Sequence, residues 1–300
     1  MGRWDRSNFE IVVDPTYGYR RLEPMPSDEE FERYYQSQYY TPQHVPQPLR
    51  RLLEESEERD RERSWLGETL FDDVVAALAE HGRGKRVLDL GCGTGDLVHW
   101  LVEAGYDAAG VEPSDDVAQM ARERGLTVRT GTLGDLIADS QTPPAYDAVV
   151  MLNVLEHVPR PGDLLRAIRS VLVPDGLLFV RVPNDFNALQ EPARRKHDLE
   201  PWWISPPDHV NYFDASTLTE FGRRLGFETL DVQADFPMEL FLLMGLNYVE
   251  DPEVGATCHA YRVQAELSLP ADVRRELFRT FAAGGIGRNL RVVMRATPRS

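Results

Sequence analysis

A hydrophobic run, Val87-Leu88-Asp89-Leu90, passes directly into Gly91-Cys92-Gly93-Thr94-Gly95-Asp96, with glycine at three alternate positions. No other stretch of the 300-residue chain restricts its fold as strongly. A buried strand that turns on glycines into the stripe Leu97, Val98, Trp100 and Leu101 reads as a strand–turn–helix unit of an α/β sheet. The glycines permit a tight turn and let a ligand approach the backbone closely. A dinucleotide fingerprint places its third glycine one position later, where Asp96 stands here. An acid beside the turn suits a cationic or amine-bearing ligand better than a pyrophosphate. A second acid, Glu112, closes the next apolar run, where a carboxylate can accept both hydroxyls of a ribose.

The same texture continues along the chain. Apolar runs at Arg86–Leu90, Asp107–Val111, Thr127–Thr130, Tyr146–Leu152 and Gly176–Val182 alternate with helical patterns, which predicts a parallel sheet covered on both faces. Gly105 marks the end of the first helix, and Pro161 the start of a later one. Asp214 is placed to cap a helix carrying Leu218, Phe221 and Leu225, which Gly226 closes. Strands are expected at Phe227–Val232 and Leu290–Arg295. Between them lie roughly 50 residues with two helical patterns, long enough to be a lid or a binding element.

These motifs resemble those of the class I S-adenosylmethionine-dependent methyltransferases. Asp89-Leu90-Gly91-Cys92-Gly93-Thr94-Gly95 is similar to the family's first motif, and Gly110-Val111-Glu112-Pro113-Ser114 to the acidic end of its second strand. Tyr146–Val150 with Leu155-Glu156-His157-Val158 resembles its fourth-strand region, and Gly176–Val180 its fifth. Pro207-Asp208-His209-Val210-Asn211-Tyr212-Phe213 and the aromatic N-terminal segment are similar to a bacterial small-molecule branch. The resemblance implies a Rossmann-like, seven-stranded, mostly parallel sheet with helices on both faces. It implies S-adenosylmethionine as cofactor and S-adenosylhomocysteine as product. Gly91, Cys92, Gly93 and Gly95 would line the methionine part, with Asp89 positioning that loop and the ammonium. Glu112, followed by Pro113, would hold the ribose. Thr132 and Leu133 would contact the adenine, where the family often has an Asp. Asn153, Val154 and His157 would lie near the sulfonium. The Asn/Asp-Pro-Pro-aromatic motif of amino-methylating DNA and protein enzymes would fall at Asn153–Glu156, which does not carry it.

Methyl transfer from a sulfonium needs an aligned nucleophile and removal of its proton. His209, in a loop after the fifth strand, is the leading base, because an imidazole near its ordinary pKa of about 6.5 suits deprotonation at neutral pH. His157 is the second. Asp208 and Tyr212 would orient the base or the substrate. Tyr39, Trp203, Met238 and Phe241 are candidate substrate contacts, although packing alone accounts equally well for the apolar residues of the insertion. Arg20, Arg181, Arg262 and Arg288 are weaker candidates for holding a substrate anion. Glu156-His157 resembles a metal-binding pair of some quinone O-methyltransferases, but Asn153 stands where those carry a further Glu, so no metal is expected.

Composition narrows the acceptor. Asp and Glu outnumber Lys and Arg by 49 to 33, a net charge of -16, which disfavours nucleic acid and anionic membrane surfaces. Two cysteines make no disulfide framework, and no apolar signal core or membrane span is evident, so a cytoplasmic enzyme is expected. The domain reading is a cap segment over residues 1–65, a cofactor-binding core over 66–234, a helical insertion over 235–288 and a last core strand over 289–300. The expected reaction is O-methylation of a hydroxyl in a sugar or secondary-metabolite pathway, with a small-molecule methyl acceptor and a homodimer as the candidate assembly. Alternatives are N- or C-methylation of a small molecule, or a partner protein that binds the cofactor without turnover.

Overall fold

The fold was analysed in a computed structural model, which describes residues 8–27, 29, 57–139 and 145–298. Tyr39 and most of the aromatic N-terminal segment lie outside the described residues.

The central element is a seven-stranded, mostly parallel sheet with the order β5-β4-β3-β6-β7-β10-β9. Its strands are β3 (Arg86–Leu90), β4 (Asp107–Glu112), β5 (Val128–Thr130), β6 (Tyr146–Leu152), β7 (Leu172–Pro183), β9 (Phe227–Ala234) and β10 (Asn289–Ala296). β3 pairs in parallel with β4 on one side and β6 on the other, and β4 with β5. The chain therefore reverses its direction of travel across the sheet at β3, the kind of switch point where open α/β sheets bind ligands.

The chain divides into two compact units. One comprises residues 26–152, 159–179 and 295–300. It holds α1 (Glu57–Leu66), which continues through a π-helical turn at Gly67–Phe71 into α2 (Asp72–His81). It also holds α3 (Asp96–Glu103), α4 (Asp115–Glu123), α5 (Leu133–Ala138) and α6 (Pro161–Val171). Val87, Leu88, Leu97, Val98, Leu101, Val149, Val150, Leu165 and Ile168 are all buried, as continuous apolar strands and one-sided helices require. Gly105 has φ +82° just past α3, and Pro161 opens α6, both as the sequence indicated.

The other unit comprises residues 1–25, 153–158 and 180–294. Its N-terminal residues form a hairpin, β1 (Glu10–Val13) and β2 (Arg20–Glu23), whose second strand pairs with β8 (Asn211–Tyr212). Its aromatics pack on α8 (Ala215–Arg224): Tyr17 and Tyr19 lie edge-on to Phe221, with ring centroids 5.0 and 5.4 Å apart. Asp214 caps α8, accepting from the Thr217 backbone N–H at 2.9 Å. The unit also contains α7 (Gln190–His197) and an insertion of three helices rather than two patterns: α9 (Glu239–Leu243), α10 (Pro252–Ser268) and α11 (Ala271–Ala283). β9 runs two residues beyond the expected Val232, and this extension delivers the next residue, Asp235, into the unit's interior.

Candidate active site

The glycine turn is anchored by its neighbour strand. The N–H groups of Gly91 and Cys92 both donate to Val111 O, at 2.8 and 3.2 Å, and Gly95 N–H donates to Cys92 O. Gly95 takes φ +77°, and a Cβ there would lie 2.6 Å from Leu126. Cys92 packs over Gly110, where a Cβ would meet its sulfur at 2.4 Å. Burial, with Asp89 and Glu112 nearby, pushes the Cys92 thiol up, so it is a spacer and not a nucleophile.

Glu112 is buried and folds back on the turn. Its two carboxylate oxygens accept from Gly93 N–H and Ser114 N–H, each at 3.0 Å. Asp89 is also buried, and burial together with Glu112 and Asp96 pushes its carboxyl well above the usual range. Asp96 is committed elsewhere, paired with Arg124 at 2.8 Å and Arg63 at 3.2 Å. Asp89 and Glu112 are thus the two acids that lie closest together behind the turn, each felt by the other. Pro113 is exposed after β4. Thr132 is the N-cap of α5, and its hydroxyl is taken up by Asp135 in a capping box. Its side chain is thus occupied, and Leu133 is buried.

A second cluster lies in the other unit. Leu155–His157 form a single 3₁₀ turn that places Glu156 and His157 side by side. His157 Nδ1 is 2.6 Å from Asp208 O, a distance at which the ring donates to the carbonyl. Nε2 is 3.8 Å from Glu156 Oε1, and Nδ1 is 3.4 Å from Asp208 Oδ1. The His209 ring stands edge-on to His157, with centroids 5.0 Å apart. Burial and the adjacent His157 push the His209 imidazole well below its ordinary value. That environment makes His209 a weaker base than a free imidazole. Tyr212 is buried and donates its hydroxyl to His209 O at 2.9 Å, so it shapes the loop. Glu156, His157 and His209 each offer one ligand atom within 4.8 Å of the others, a grouping that a cation could bridge.

Three features here were not evident from spacing. Glu156, Asp185 and Glu239 are buried carboxyls, pushed up chiefly by burial, and each has one oxygen without a hydrogen-bond partner. Trp203 is buried edge-on to Trp202 and to Phe186, and its indole N–H is likewise unmatched. Arg181 and Arg262 are not available to a substrate anion, because both are drawn to the buried Asp235. Arg20 lies over the Phe186 ring at 4.6 Å, and Arg288 is exposed. Met238 and Phe241 are packed with Cys258 in the core of the insertion, which accounts for them without a ligand. Asn153 adopts φ +59° and Val154 is half-buried.

A family model described as a methyltransferase domain matches residues 59–232, more than half of the chain. The chain belongs to the class I S-adenosylmethionine-dependent methyltransferases. A ubiquinone biosynthesis O-methyltransferase of Caulobacter sp. is 30% identical over 206 residues, covering 66% of this chain and 75% of that protein. One from Actinobacillus pleuropneumoniae is 36% identical over 120 residues, covering 37% and 51%. The methyltransferase chain spans about half the length of several such curated relatives. Among solved structures, a SAM-dependent methyltransferase of Archaeoglobus fulgidus superposes with a TM-score of 0.51 at 16% identity, over 76% of this chain and 94% of that one. The magnesium protoporphyrin IX methyltransferase of Synechocystis, with bound S-adenosylhomocysteine, gives 0.50 at 19%, over 69% and 92%. At these identities the likeness conveys a shared fold.

S-adenosylmethionine is the cofactor of this family. The residues at the glycine turn fit it. Its ammonium and sulfonium are cations, and a cation beside Asp89 would relieve the repulsion that Glu112 and Asp96 impose on that carboxyl.

Proposed function

We propose that this methyltransferase O-methylates a hydroxyl of a small molecule, with His157 as general base. The observation that carries the reading is the 2.6 Å contact of His157 Nδ1 with Asp208 O, which orients the ring with Nε2 on the Glu156 side. In that orientation Nε2 is the nitrogen that would accept a proton from a substrate hydroxyl, with the Glu156 and Asp208 carboxyls 3.8 and 3.4 Å from the ring nitrogens. When bound, the cofactor supplies an electrophilic methyl group. Asp89 and Glu112 would hold it through its ammonium and ribose, with the Thr132–Leu133 backbone as a further contact. His157 Nε2 would take the proton of the acceptor hydroxyl. The products are a methyl ether and S-adenosylhomocysteine.

The acceptor is proposed to be rich in hydrogen-bond donors, as a sugar or a polyhydroxylated secondary metabolite is. Asp185 and Glu239 support this, because their unmatched buried oxygens would gain partners from such a ligand. The relatives that bear O-methyltransferase names support transfer to oxygen. The net charge of -16 supports a small-molecule acceptor over nucleic acid. The test is methyl transfer from labelled S-adenosylmethionine to a panel of catechols, hexoses and polyols. His157→Ala is expected to lower kcat by about 10²–10⁴-fold, the usual contribution of a general base, and His209→Ala by less. Full activity in His157→Ala removes the base assignment.

A further inference from the structure

A continuous line of buried and half-buried polar side chains runs from the insertion to Glu156, all within one compact unit. It begins on α10. Arg262 is 5% exposed, and its Nε donates to Glu266 Oε1 one turn along, at 2.9 Å. Its Nη2 donates to Asp235 Oδ2 at 2.8 Å. Asp235 is fully buried and is held from behind by Asn289, whose backbone N–H and side-chain amide donate to it at 2.8 and 2.9 Å. Arg181 Nη2 reaches the same carboxylate at 3.5 Å. The other arm of that guanidinium, Nη1, donates to Asn153 Oδ1. Asn153 Nδ2 then donates to Glu156 Oε1 at 2.9 Å. Backbone geometry locks the same junction, because Asn153 N–H donates to Arg181 O at 2.9 Å.

Each link has a defined direction. A guanidinium has donors only, so it imposes one orientation on the Asn153 amide: oxygen toward Arg181, nitrogen toward Glu156. A neutral amide in that orientation offers Glu156 a donor. Glu156 Oε1 is thereby held on the side of His157 Nε2, 3.8 Å away. Asn153 also tolerates the left-handed backbone, φ +59°, that the corner after β6 requires.

We infer that Arg181, backed by Asp235 and Arg262, acts as a positioning relay that orients Asn153 and through it sets Glu156 against the base, so that the helical insertion tunes the proton-accepting histidine. Arg181, Asp235 and Arg262 are positioning residues, with no contact to the reacting atoms assigned to them. The inference rests on the reading of His157 as base.

The test is a double-mutant cycle between the two ends of the line. Asn153→Gly keeps the backbone conformation and removes the amide link. Arg262→Lys keeps the charge and removes the fork that joins Asp235 to Glu266. Methyl transfer is measured to the fastest acceptor of a catechol-and-polyol panel, with cofactor affinity by calorimetry and thermal melting in parallel. Asn153→Gly is expected to lower kcat by about 10–100-fold, the usual effect of losing a partner that orients a working group. Arg262→Lys is expected to give a smaller loss in the same direction. The double variant is expected to be no slower than Asn153→Gly alone, since the relay is already cut. Should Arg262→Lys not fold, Glu266→Gln takes its place in the cycle. Multiplicative losses, or a lowered melting point with kcat intact, overturn the relay. His157→Ala is the separating control. If it retains kcat, the base reading falls. If it loses kcat while the cycle is multiplicative, the relay alone falls.

Discussion

Replacing Asp235 by Asn probes a fully buried carboxylate shared by two guanidinium groups. The carboxylate is fully buried and accepts from the Asn289 backbone and amide, from Arg262 and from Arg181. Burial alone would raise its pKa, but Arg262, Arg181 and Arg291 together hold it well below the usual carboxylate range. Asn has nearly the same shape, yet it offers donors where the guanidinium groups and Asn289 already donate. Two buried cations would lose their shared counter-charge. Breaking one partner of a buried ion pair typically costs about 3–5 kcal/mol. At roughly 2 °C or more per kcal/mol for a chain of this size, the melting point should fall by at least about 6 °C. The wild-type pH dependence carries an independent signature. Because the folded carboxyl titrates below the unfolded value of about 3.9, its contribution is present at neutral pH and is lost as pH falls below about 4. Urea melts of wild type and Asp235→Asn at neutral pH and in acid would show the gap between them narrowing in that window. A loss under about 1 kcal/mol at neutral pH, or a gap that does not change in acid, would refute the reasoning.

Three further outcomes follow from the site. Glu112→Gln removes a charged acceptor, and its cofactor affinity by calorimetry should fall by roughly 10–100-fold, as losing a hydrogen bond of about 1.5–3 kcal/mol to a charged group implies; unchanged affinity contradicts the ribose assignment. Asp89, whose folded carboxyl is raised by burial, Glu112 and Asp96, should bind the cationic cofactor more tightly as pH rises and the carboxyl ionises, and Asp89→Asn should abolish that slope. Methyl transfer should persist in excess EDTA, because His157 Nε2 is read as a base; activity lost to the chelator and restored by a divalent cation would reassign Glu156, His157 and His209 as metal ligands.

The strand–glycine–helix unit and its acid were legible because both are local: a turn that needs positive φ at Gly95, and a carboxylate at the end of the adjacent strand. Helix ends at Gly105, Pro161 and Asp214 were legible for the same reason. The N-terminal hairpin was not, because its four-residue strands take their stability from Tyr212 and Phe221, some 190 residues away in sequence. His209 drew attention as a histidine in a polar motif, but its titration is governed by burial and by His157, which spacing does not convey. Asp235 drew no attention, as the first residue of the insertion after a strand. Only the fold shows that Arg181 and Arg262, which sequence offered as anion binders, converge on it.

The central claim is methyl transfer to oxygen with proton removal by His157. Methyl-labelled S-adenosylmethionine, the protein and the catechol, hexose and polyol panel provide the direct measurement, with products resolved by mass spectrometry and NMR. The account predicts a labelled methyl ether, formed by wild type and His209→Ala and nearly abolished in His157→Ala. Label on nitrogen or carbon, or cofactor that binds with no labelled product from any acceptor, would contradict it.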